Sequence, residues 1–370
     1  MIWSLQTLRF VAASMVLCLH AVQSAMRISG VGAVSYQYAL VGSAGVDIFF
    51  VISGVIIATV APGRTAAEFI QARVLRVVPI YLLCSIPALP IMAIGPGLGW
   101  RNILATLFLW PATDQMAAPA LGVAWTLCFE MLFYAAVALV LCDRRWLYAL
   151  AAIFIGAFLL RWAGPVFQLL GNPIILEFIA GVAIARVGKL RWGFVMLPLG
   201  VAALFFVAWL EVIPDGHTGL FLTGEENLQR IAVLGIPAIL IVYGATHFQA
   251  RQSVWTYLGG ASYSLYLVHP VLVSALAIIW VFYPVGPDVI VVVAILVSLL
   301  ASWRVHERIE KPMIAWIKRR TPSAAGWANA IVTAFPGRHL PGRAAAVEKP
   351  GSLANASSAV ACKASNTRDG

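Results

Sequence analysis

Leu8-Arg9-Phe10-Val11-Ala12-Ala13-Ser14-Met15-Val16-Leu17-Cys18-Leu19-His20 is apolar enough to enter a membrane, yet it carries two ionisable side chains. Arg9 and His20 are eleven positions apart, about three helical turns, so a helix puts both on one face, roughly 16 Å apart along its axis. A charge inside a bilayer is costly unless it faces protein or water, so such side chains as a rule mark a functional path. Arg9 alone, near the end of the run, also reads as an anchor that snorkels to the headgroups. With His20 on the same face, structural and functional readings weigh equally.

The rest of the chain repeats this apolar character. Hydrophobic residues make up 61% and charged residues 11%, values of a polytopic membrane protein and not of a soluble globular one. The net charge of +10 does not indicate nucleic acid, because the basic residues sit between long apolar runs, where they act as topology signals. The five cysteines form no C-x-x-C pair, so neither a disulfide framework nor a zinc or other metal site is expected. Small residues at 21–25 invite a signal-peptide reading, but no basic segment precedes the run and Arg9 interrupts it, so no cleavage is expected.

Runs of about 17 to 25 apolar residues predict an all-α fold of ten transmembrane helices near 5–26, 40–61, 75–95, 122–142, 146–163, 172–188, 193–211, 229–247, 254–282 and 288–305. Arg64, Arg73, Arg76, Arg144, Arg145, Arg186, Lys189, Arg191 and Arg251 fall in alternate loops, which predicts both termini in the cytoplasm. Arg27, Arg101, Arg161 and Arg230 are the basic residues of the opposite loops. The segment 100–111 is apolar but short, an interfacial or re-entrant piece. A transmembrane domain over 1–318 is therefore expected, followed by a tail over 319–370 whose Ala, Gly, Pro and Ser content predicts disorder. Its basic start, Lys318-Arg319-Arg320, could rest on anionic lipid.

Four further groups stand out. Gly42, Gly45, Ser53 and Gly54 allow close helix approach around Asp47, a buried carboxylate for which pairing with an Arg or His is the simpler role. Arg73 and Arg76, at i and i+3, suit bidentate phosphate binding but also fit ordinary positive-inside anchors. Thr126, Glu130 and Tyr134 share a face at i, i+4 spacing, with Glu130 at a depth similar to that of His20. Glu177 is another carboxylate in an apolar run, and Ser262, Tyr266 and His269 share a face before Pro270, lining a polar cavity or bonding between helices.

The order L-x-x-L-R-F-x-A…H, G-V-D-I-F-F-V-I-S-G, R-x-x-R-x-x-P, W-T-L-x-x-E-x-x-F-Y and Y-S-L-Y-L-x-H-P resembles the membrane acyltransferase-3 family over about residues 1–312, and most of all its short exopolysaccharide O-acetyltransferases. The resemblance implies a ten-helix enzyme of the bacterial cytoplasmic (inner) membrane that takes an acyl group from cytoplasmic acyl-CoA, acetyl-CoA foremost, and delivers it to a hydroxyl of an exported or cell-surface glycan or its lipid-linked precursor. By position, Arg9 and His20 match the family's essential pair, Arg73 and Arg76 its R-x-x-R motif, and Glu130 the glutamate of its W-T-L-x-x-E stretch. The expected division of labour places the CoA phosphates on Arg73 and Arg76. His20 then serves as base or acyl carrier, Asp47 or Glu130 orients its imidazole, and Arg9 binds CoA or steadies oxyanion charge. The competing expectation is a non-enzymatic transporter using the buried histidine and carboxylates as a proton relay. The absence of an internal repeat and the presence of the arginine pair count against it.

Overall fold

The computed structural model describes residues 3–30, 36–95, 97–215, 217–249 and 251–321, and its regular structure there is helical apart from one isolated β-bridge, Ala112 to Met116. All but the first three residues of the expected tail lie outside the described residues. In chain order the apolar helices are α1 (Trp3–Ser29), α2 (Tyr36–Val60), α3 (Ala66–Ser85), α4 (Ala88–Ile94), α5 (Trp100–Phe108), α6 (Gly122–Cys142), α7 (Trp146–Leu159) and α8 (Pro165–Val187). They continue with α9 (Gly193–Trp209), α10 (Thr218–Thr223), α11 (Asn227–Thr246), α12 (Val254–Gly260), α13 (Ser262–Phe282) and α14 (Pro287–Arg320).

Among the described residues, seven of these helices are long and apolar enough to cross a bilayer, and α3 with α4, bent by 47° at their junction, would make an eighth. Helices α7 and α9 coincide with two expected spans but are shorter than the rest. The segment 100–111 is a short helix, α5, ended by Leu109 in the left-handed region.

Helix α2 is the post of the bundle: 72% of its apolar window is buried, the highest share among the seven. Two glycine contacts explain how neighbours come so close. A Cβ on Gly45 would stand 2.3 Å from the Ala12 carbonyl oxygen of α1. Cβ atoms on Gly54 and Gly181 would stand 2.1 and 2.0 Å from the Phe178 and Val51 carbonyl oxygens across the α2–α8 crossing. Without side chains at these positions the backbones meet directly. Helix α1 buries Leu5, Ala12 and Leu19 against α2, α9 and α11, and Ala13, Leu17 and Ala21 against α13 and α14. Arg9 and His20 lie on the arc of α1 between these two buried faces.

Several boundaries differ from expectation for physical reasons. Helix α3 starts nine residues before the expected 75, because Thr65 and Glu68 form a capping box (Glu68 N–H to Thr65 Oγ1 3.2 Å, Thr65 N–H to Glu68 Oε2 3.0 Å). Arg73 and Arg76 therefore sit inside a helix and not at its mouth. Expected span 254–282 is broken at Ala261 into α12 and α13. Expected span 288–305 continues through a π-helical turn, His306–Glu310, so that Lys318, Arg319 and Arg320 end α14, where cations suit the negative helix terminus.

Candidate functional site

A cavity of about 400 Å³ lies where α1 and α3 begin and α2 ends, walled also by α6 and α13. Four residues singled out from sequence line it: Arg9, Arg73, Arg76 and Glu130. Three guanidinium groups thus face one carboxylate. Glu130 Oε1 accepts from Ser53 Oγ at 3.4 Å and closely from the Tyr134 hydroxyl, both cavity residues. The arginines are not used up in this way. Arg73 Nε and the neighbouring Gln6 Oε1 are buried without a hydrogen-bond partner, and such orphaned groups in a polar cavity call for a ligand or water.

The opposite side of the cavity is aromatic. Tyr263 and Tyr266 of α13 line it, the first donating to the Val77 carbonyl at 2.9 Å and the second to the Val123 carbonyl at 3.1 Å, with Thr126 Oγ1 3.1 Å from the Tyr266 oxygen. Phe49 packs its ring edge-on to Tyr266 at 5.7 Å.

His20 is placed one step beyond this wall. It shares the Arg9 face of α1, as the spacing predicts, but it does not line the cavity. Its Nδ1 lies 2.9 Å from Nε2 of His269, and the two rings are 15° from parallel. His269 is fully buried, and its ring is 6.0 Å from that of Tyr266. The partner of His20 is thus another imidazole, where the sequence reading offers Asp47 or Glu130.

Asp47 is held elsewhere. Arg230 Nε donates to Asp47 Oδ1 at 3.0 Å and Nη2 to Oδ2 at 2.6 Å, with a further bond from Nη2 to the Ser43 carbonyl at 2.9 Å. Both side chains are sealed, at 0% and 1% exposure, and Glu177 of α8 is buried beside them. Arg230, expected in an external loop, belongs to α11, just before a π-helical turn at Ile231–Gly235. Sequence reading missed this partner and that of His20. The Y-S-L-Y-L-x-H-P stretch was the available signal for His269, whereas nothing local marks Arg230.

Comparisons with known proteins give the family. The model of the acyltransferase-3 family, described as an acyltransferase domain, matches residues 2–306. The exopolysaccharide production protein ExoZ of Rhizobium meliloti (strain 1021) is 31% identical over 303 residues, covering 74% of this chain and 90% of that protein. No solved structure matches.

Proposed function

Because this chain belongs to the acyltransferase-3 family, we propose that it is an integral membrane O-acyltransferase. It moves an acetyl group from cytoplasmic acetyl-CoA to a hydroxyl of an exported or cell-surface glycan or its lipid-linked precursor. One observation carries the reading: three arginines surround a cavity that holds a single carboxylate, and Arg73 Nε is left without a protein acceptor. Spare guanidinium donors in an enclosed site fit phosphate oxygens, which they bind in forked, charge-assisted pairs. The name of the relative, an exopolysaccharide production protein, supports a glycan acceptor.

The same reading keeps ten crossings, with α7 and α9 as short spans, and both termini in the cytoplasm of a bacterial inner membrane. The cavity, bounded by residues from Leu5 to Arg9 and from Thr59 to Arg76, then faces the cytoplasm. Arg73 and Arg76 hold the phosphates, and Arg9 steadies either CoA or the oxyanion. The uncharged arm of the donor must reach roughly 16 Å along α1 to bring its thioester from Arg9 to His20. His20 takes the proton of the acceptor hydroxyl as that oxygen bonds to the acyl carbon. The carbon–sulfur bond breaks, and the proton passes to the departing sulfur. Transit of the acyl group on His20 itself would use the same ring nitrogen. Glu130, accepting from Ser53 and Tyr134, sets the charge of the cavity, and Asp47 ties α2 to α11 through Arg230.

The test is glycan O-acetylation in cells carrying the unaltered chain or His20→Gln at matched membrane levels. A fall of on the order of 100-fold or more is expected if His20 works on the hydroxyl proton. Near-normal acetylation in His20→Gln removes His20 from the chemistry. Glycans without O-acetyl groups even with the unaltered chain return the transporter reading.

A further inference from the structure

We propose that His269 is a positioning residue: it fixes the tautomer of His20, so that Nε2 of His20 carries the lone pair the reaction needs. The catalytic consequence rests on the acyltransferase reading, but the tautomer itself does not.

The argument runs through three atoms of fixed polarity. His269 Nδ1 lies 2.9 Å from the backbone carbonyl of Leu265, one turn earlier in α13. A carbonyl oxygen only accepts, so Nδ1 bears the hydrogen. In a neutral imidazole the other nitrogen is then an acceptor. His269 Nε2 is 2.9 Å from His20 Nδ1, and that contact is a hydrogen bond only if His20 Nδ1 donates. A neutral His20 therefore has no hydrogen on Nε2. Among the described residues no group bonds to that nitrogen, and the ring is half-buried, whereas His269 is fully enclosed.

The orientation is held from both sides. Tyr266, one turn before His269, is anchored by its hydroxyl to the Val123 carbonyl and Thr126. Helix α1 is fixed against α13 by Ala13, Leu17, Leu265 and Val273. A histidine without such a partner exchanges between its tautomers, and the bond made by one ring nitrogen decides what the other can do. A backbone carbonyl, a buried imidazole and a working imidazole thus form one chain with a single direction. No carboxylate takes part, so the pair is neutral as built, which suits a site inside an apolar bundle.

Nitrogen-15 NMR of histidine-labelled protein in lipid nanodiscs tests this directly. The chain has six histidines, and His20→Gln identifies the signal of interest by its disappearance. Expected is a His20 ring hydrogen-bearing at Nδ1 in the unaltered protein. That form should give way to a mixture of tautomers in His269→Leu, which keeps bulk but offers no acceptor. It should return in His269→Gln, whose side-chain oxygen can accept near the place of Nε2. Acetyl transfer should follow the same order, falling by on the order of 100-fold in His269→Leu, the lower end of what a positioned base supplies, with KM for acetyl-CoA unchanged and much of the rate recovered in His269→Gln. The proposal is overturned if His20 carries its hydrogen on Nε2 in the unaltered protein, if His269→Leu leaves its tautomer unchanged, or if the tautomer changes and kcat does not. Failure of the acyltransferase reading shows separately, as no transfer by the unaltered chain, and leaves the NMR comparison to decide the tautomer.

Discussion

Two groups of charge are buried in this bundle, and they are built in opposite ways. Around Asp47, the Arg230 guanidinium closes on one carboxylate and one carbonyl, and its face covers the Phe221 ring at 4.7 Å. Around Glu130, three arginines line one cavity with a single carboxylate, and one of their nitrogens is orphaned. A guanidinium that closes on its partner is spent on holding helices together. One that keeps donors free beside open space is available to something that arrives. An exposed pair, Arg101 with Asp114, makes a third case in which water competes for both groups.

The largest effect should come from opening the sealed pair. Asp47→Ala takes the forked partner from the buried Arg230, and Glu177 beside it makes no hydrogen bond to that guanidinium, so the expected cost is about 3–5 kcal/mol, read as a lower unfolding temperature or loss from the membrane. Replacing both residues with apolar ones of similar size should restore most of that stability, since a buried ion pair gains little over good packing. Normal stability with lost transfer in Asp47→Ala would break the contrast and move Asp47 into the chemistry.

Next in size is the cavity. Arg73→Lys should leave unfolding unchanged but weaken acetyl-CoA binding about tenfold or more, because loss of a charge-assisted bond costs about 1.5–3 kcal/mol. Unchanged binding in titrations of both Arg73→Ala and Arg76→Ala would return these residues to the role of topology anchors.

The smallest effect belongs to the exposed pair. Arg101 holds the Asp114 carboxyl below its ordinary range, chiefly by donating to it. A lowered folded value means that any stabilisation is complete above the usual aspartate pKa of about 3.9 and is lost as pH falls through the folded value. Because water competes for both exposed groups, Arg101→Gln should unfold only slightly below the unaltered protein at neutral pH, and that difference should shrink in strong acid.

What could be read from sequence follows the range of the signals. Periodicity within one helix put Arg9 and His20 on a common face; His20 meets α13, and Arg9 lines the cavity that α13 helps to wall. The spacing of Arg73 with Arg76, and of Glu130 with Tyr134, likewise survives into one cavity. Partners across the bundle were not legible. Asp47 and Arg230 are 183 positions apart, His20 and His269 are 249 apart, and a face does not say which helix will meet it. The assignment of basic residues to loops also misplaced Arg230, although the expected span 229–247 contains it, because a guanidinium neutralised inside the protein can sit within a membrane helix. The start of α3 was legible in principle: Thr65-Ala66-Ala67-Glu68 is a capping box written in sequence.

The apolar part of the cavity wall has a calorimetric consequence. Phe49, Phe50, Ile52, Val55, Ile56 and Val77 line a space of about 400 Å³, room for on the order of a dozen water molecules. A donor that fills it removes these surfaces from solvent, so association should carry a negative heat capacity change. The enthalpy of binding then grows more favourable with warming while the affinity hardly moves. The arginines set which molecule is held, and the hydrocarbon around them sets how that grip divides between heat and entropy as the membrane changes temperature.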